Sequence, residues 1–240
     1  NSLFCLAAAA IFALSVIFLG SSINNGLKSF NNNDRSVVMK GLAQRDVKAD
    51  LALWTISYTE TGNNLPELQE LMESRGRDVV DFLRKNGISG DAVTLNNVSV
   101  QDLMAQSYRQ NNAVLNRYIL TQSYLVRTND IESVNKASKN IGELIKKGIV
   151  FAQRGSNQPT YIFTGLNDIK PEMIAEATEN AREGAEQFAE NSGQEVGSIK
   201  RASQGVFQIL PRDQTFTIPE AQQINKTVRV VSTITFDLED

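Results

Sequence analysis

The chain has 240 residues, with 24 Lys and Arg against 27 Asp and Glu, a net charge of −3, no His and a single Cys at position 5. Without His, the usual general base near neutral pH, Ser-His-Asp and Cys-His nucleophile systems are excluded, and zinc, haem and iron–sulfur sites lose their customary ligands. One Cys also rules out a disulfide within the chain, and the balanced, sign-alternating charge offers neither a nucleic-acid groove nor a polybasic membrane patch.

In chain order, the first 27 residues carry no charge. Within them Leu3 to Leu19 is continuously apolar apart from Ser15 and Cys5, and seventeen helical residues span roughly 26 Å, the lower limit for a bilayer core. A helix of this segment has no polar face, so residues 1–20 are expected to be a transmembrane anchor through Leu3, Phe4, Leu6, Ile11, Phe12, Leu14, Val16, Ile17, Phe18 and Leu19. The alternative is a secretory signal cleaved at the small residues Gly20, Ser21 and Ser22. Residues 21–35, with five Asn and three Ser, read as a turn-rich linker.

Beyond the linker, residues 36–240 read as one body in which strand pairs alternate with three helices, in the order ββαββαββαββ. The first helix is expected over 66–86, where Leu68, Leu71, Met72, Val79, Phe82 and Leu83 form a stripe that ends at Gly87. The second is expected over 131–147, behind the cap candidates Asn129 and Asp130. The third, over 171–191, sets the small apolar face Ile174, Ala177, Ala181, Ala185 and Phe188 against Glu172, Glu176, Glu179, Glu183, Glu186 and Glu190. Small residues on the inner face predict close packing on a sheet. The acidic outer face is the candidate interaction surface. Period-two alternation marks 228–238 as the firmest strand, with others over 35–41, 47–61, 93–106, 118–128, 149–153, 160–164 and 197–209. The fold class is therefore α+β, with mainly antiparallel or mixed sheets. Gly41, Gly148 and Gly197 read as turn or cap positions. No G-x-x-x-x-G-K-[ST] sequence occurs, so that nucleotide-binding loop is absent.

Three stretches carry a resemblance. Val37 to Asn63 (VVMKGLAQRDVKADLALWTISYTETGN), Ala181 to Gln204 (AREGAEQFAENSGQEVGSIKRASQ) and Val228 to Glu239 (VRVVSTITFDLE) resemble the opening, the AR-x-x-A-E-x-x-A helix with its following strand, and the closing strand of the SIMPL-domain family of bacterial envelope proteins. The resemblance covers residues 36 to 240. It implies an extracytoplasmic α+β domain, linked in some members to stress tolerance and to ring-like or channel-like homo-oligomers, and it carries no catalytic residue set. The chain differs from secreted members in the retained apolar segment, in Gly184 where the family helix often has Lys, and in its Asn-rich linker.

Taken together, these features lead us to expect a non-enzymatic scaffold, single-pass in a bacterial inner membrane with its body in the periplasm; the orientation is implied by the resemblance. Its expected partners are further copies of itself, the membrane and other envelope proteins, with no nucleic acid, nucleotide or cofactor. A binding module for an envelope protein or small ligand is the alternative. A hydrolase built on a carboxylate pair drawn from Glu60, Glu67, Asp78, Asp81, Asp130 and Asp168 is the third reading, weakened because these residues fall on polar faces or at helix starts.

Overall fold

A computed structural model of the chain describes residues 35–105, 116–152, 157–213 and 217–239. The expected anchor, Gln106, Gln153 and all of the linker but Arg35 lie outside these residues. Among the described residues no helix is long and apolar enough to cross a membrane. They form eight strands: β1 (Ser36–Lys48), β2 (Leu51–Gly62), β3 (Val93–Asp102), β4 (Tyr118–Thr128), β5 (Thr160–Ile162), β6 (Glu195–Gln204), β7 (Gln208–Pro211) and β8 (Asn225–Glu239). The helices are α1 (Leu65–Lys85), α2 (Ile131–Lys139), α3 (Gly142–Lys146) and α4 (Leu166–Ser192). The α+β class stands.

Several boundaries differ from those expected. The 131–147 helix breaks at Asn140, whose N–H closes the last turn of α2 onto Lys136 and Ala137 and whose side chain donates to Asn86 Oδ1 at 3.1 Å. The apolar stripe survives the break because α3 resumes with Leu144 buried, which is why periodicity alone shows one helix. Helix α4 begins a turn early at Leu166 and accommodates Pro171 within it. Its buried row is Met173, Ala177, Ala181, Ala185 and Ala189, while Ile174 is half-buried and Phe188 is 51% exposed. Of the expected 149–153 strand, the described residues 149–152 contribute a single bridge, Phe151 to Tyr58, and 197–209 divides into β6 and β7. Gly148 is a left-handed cap (φ 83°), whereas Gly41 and Gly197 lie inside strands.

The chain forms two compact units. One draws on residues up to Ala43, Glu172–Phe207 and those from Val230 onward; the other on Gln44–Pro171 and Gln208–Arg229. In the first, strands are ordered β1-β8-β6 and the core is Val37, Ala181, Ala185, Ile234 and Phe236, with the Arg182 guanidinium 5.1 Å above the Phe236 ring. The alanine row allows α4 to lie almost directly on β1. A Cβ added at Gly41 would collide with the Ala177 carbonyl and sit 2.6 Å from the Ala181 nitrogen. Asn180 Nδ2 donates to the Leu42 carbonyl at 2.7 Å beside this approach.

In the second unit an antiparallel sheet is ordered β3-β4-β2-β5. The β2–β4 register places Trp54, Ile56 and Tyr58 opposite Val126, Tyr124 and Gln122 on one face, while Thr55, Ser57 and Thr59 alternate onto the other. Helices α1 and α2 pack on β2, α1 also on β4, and α3 rests against α1. Leu68, Met72, Val79, Phe82 and Leu83 close the core over Trp54 and Tyr58. Separately, β7 pairs with the start of β8, where the buried Lys226 Nζ donates to the Glu220 carbonyl at 2.8 Å and to the Glu220 carboxylate.

Candidate functional site

The helix layer of the second unit stops short of β3. Among the described residues strand β3 is an edge, and its residues from Thr94 to Gln101 are all exposed. In sequence, Leu95 and Val98 are three apart, a spacing that puts them on opposite faces of a regular strand. A bulge between Leu95 and Asn97 changes this. Leu95 is opposite Tyr124, Val98 opposite Gln122 and Val100 opposite Leu120, so all three join the face that carries α1. Asn96 Nδ2, within the bulge, donates to Ser123 Oγ at 3.3 Å. The outcome is an apolar row with no helix over it among the described residues: Leu95 is 53%, Val98 46% and Val100 50% exposed.

Between this row and α1 lies an open groove of about 540 Å³. Its floor is Leu95, Val98, Gln122 and Tyr124, and its wall is Gln69, Glu73, Gly76, Arg77, Val80, Asp81 and Arg84. Those wall positions fall on about one third of the helix circumference, beside the buried stripe. Gly76 sets the depth, because a Cβ there would be 2.7 Å from Tyr124 Oη and 3.2 Å from Tyr58 Oη. The two tyrosine rings stack at 6.5 Å with planes 12° apart, and Gln122 Nε2 donates to Tyr124 Oη at 3.0 Å.

Burial, reinforced by the neighbouring Tyr124 and Glu60, pushes the Tyr58 hydroxyl well above its ordinary value. A tyrosine held protonated in the folded state stabilises it fully below the unfolded value of about 10 and loses that contribution as the pH rises beyond it. Accordingly, the melting temperature of the chain is expected to fall from about pH 10 upward, and Tyr58→Phe is expected to flatten that fall. Equal slopes in the two proteins, measured by thermal melts across this range, would contradict the assignment.

Most of the carboxylates considered for catalysis have structural partners. Glu60 accepts from Arg75 Nε at 3.1 Å, Glu67 from Asn64 Nδ2 at 2.6 Å, and Asp78 from Lys147 Nζ at 2.7 Å. Asp81 meets Arg84 at 3.4 Å, and Asp130 caps α2 by accepting the Ser133 N–H at 3.0 Å. Asp168 lies in the first turn of α4. Among the described residues no group of His, Cys, Asp and Glu is placed to hold a metal.

Glu172, Glu176, Glu179, Glu183, Glu186 and Glu190, the acidic row, are all exposed along α4. It belongs to the other unit and is remote in sequence from the groove. The groove wall was not singled out from sequence, although its signal is there: Glu73, Arg77, Asp81 and Arg84 alternate in sign along one helix face. An alternating polar face is ordinarily just solvated, and only the uncovered β3 beside it makes this one a groove.

A family model described as "Protein of unknown function (DUF541)", SIMPL, matches residues 37–236. The chain belongs to the SIMPL family. The match runs from β1 to β8 and so takes in both compact units, the groove and the acidic row. A search of curated proteins gives no match to the chain.

Proposed function

We propose that this SIMPL protein is a membrane-tethered, non-enzymatic envelope scaffold whose body self-assembles on the periplasmic side into a ring-like homo-oligomer, in a role connected with envelope stress tolerance. The uncharged segment Leu3 to Leu19 supports the tether, and SIMPL membership supports the extracytoplasmic setting. The observation that carries the assembly reading is the apolar row Leu95, Val98 and Val100 on an edge strand, half-exposed on the helix-bearing face of its sheet. Soluble chains normally cover or charge such an edge, whereas β3 carries one charge, Asp102, already engaged by Arg117 at 2.8 Å. Strand β2, the other long alternating segment, is not available for pairing between copies: β4 and β5 flank it, and the Val150 carbonyl and Ala152 N–H bond its remaining edge.

The size of the groove favours a second reading, a binding module for an envelope protein or small ligand. The mass of the full chain in mild detergent at micromolar concentration separates the two. A closed multiple of the chain mass is the expected result; a monomer that copurifies with one stoichiometric foreign partner would replace assembly with binding.

A further inference from the structure

We propose that the occupant of the α1–β3 groove is the same groove of a second copy, with the two α1 helices antiparallel across a two-fold axis near residues 78 and 79. This rests on the self-assembly reading and specifies the surface that performs it.

Along the groove wall the charges run Glu73, Arg77, Asp81, Arg84, that is, minus, plus, minus, plus. Read in the opposite direction the same row is plus, minus, plus, minus. An antiparallel copy therefore sets Glu73 opposite Arg84 and Arg77 opposite Asp81, and each pair occurs twice, as an isologous contact requires. A parallel copy in register would set like against like. By contrast, the acidic row of α4 repels a second copy in either direction.

The wall residues are available for such a contact. Glu73, Arg77, Asp81 and Arg84 are exposed, and the one ion pair formed within the row, Arg84 to Asp81, is a 3.4 Å contact between side chains each about two-thirds exposed. Val80, half-buried in the wall, falls beside the axis and gives the contact an apolar centre. Below it, the floors of the two grooves face one another, so that Leu95 and Val98 of each copy leave water together. Burial of those side chains supplies the attraction, and the four cross-axis charge pairs set direction and register. A two-fold contact closes on itself at two copies, so a ring uses it as one of two interfaces.

Charge exchange tests this in the full chain in mild detergent. Arg77→Asp places a carboxylate opposite the second copy's Asp81, and Asp81→Arg places two guanidinium groups opposite each other. Each single variant is expected to weaken self-association at least tenfold, and the double variant Arg77→Asp/Asp81→Arg, which restores opposite charges across the axis, is expected to recover most of it. Melting curves confirm that each variant is folded. Glu183→Lys on α4 is expected to leave association unchanged. Assembly that ignores both single reversals, or that fails in the double variant as in the singles, would overturn this interface while leaving self-assembly standing. A monomeric wild-type chain would remove the self-assembly reading itself.

Discussion

Gly41→Ala is expected to destabilise the first unit by at least about 3 kcal/mol, the upper end of overpacking costs. At about 2–4 °C per kcal/mol for a body of this size, the melting temperature falls by roughly 6–12 °C. The reason is the nature of the obstacle. At most crowded glycines an added Cβ meets the end of a side chain, which swings away. At Gly41 it meets the Ala177 carbonyl, and the Ala181 nitrogen lies 2.6 Å away, both part of the α4 backbone. Backbone in mid-helix has no alternative rotamer, so β1 and α4 must separate. That separation opens the contact between Val37, Ala181 and Ala185 that forms the small core of this unit. Gly142→Ala is the matching control, since a Cβ there meets nothing within 4 Å. Thermal unfolding of the two variants beside the wild type gives the answer: a Gly41 variant that melts with the Gly142 variant would show that α4 does not lie against β1 as described.

In the second unit the largest single loss is expected from Trp54→Ala. Trp54 is fully buried on β2 opposite Val126, and its indole N–H donates to the Asn157 carbonyl at 2.7 Å. Removing the ring leaves a cavity under α1 and α2 as well as an unpaired carbonyl, for a cost of about 3–5 kcal/mol. Trp54→Phe keeps most of the volume but abandons the hydrogen bond, and is expected to cost about 1–3 kcal/mol. The order of the two variants in denaturant midpoint separates packing from hydrogen bonding. Equal losses would mean that the bond to Asn157 dominates.

Much of this fold is legible in the sequence where one element satisfies one pattern. Helices α1 and α4 and strand β8 each bury a single periodic face, and their limits lie within a few residues of the pattern. The acidic face of α4 is legible for the same reason. The misread positions are those where a residue answers to a partner distant in the chain. Gly41 looks like the end of a strand, but the close approach of α4 requires a glycine inside one, and β1 continues to Lys48. Asn140 looks like an ordinary polar position in a long helix, yet its bond to Asn86 fixes it as a cap. The groove is the strongest case. The alternating charges of α1 and the alternating apolar residues of β3 can both be read directly. That β3 is an edge, that its bulge turns Leu95 onto the helix side and that no described helix covers it are consequences of strand order among the described residues, which local periodicity does not encode.

A cross-link through Val80 tests the paired-groove account most directly. In a Cys5→Ser background, which removes the only native thiol, Val80→Cys places one thiol per chain beside the proposed two-fold axis. A short thiol–thiol cross-linker added to the assembled full chain is expected to convert it to covalent dimers, and Arg77→Asp in the same background is expected to abolish them. An assembled chain that cross-links through Glu183→Cys on α4 and not through Val80→Cys would contradict the account and move the interface to the acidic helix.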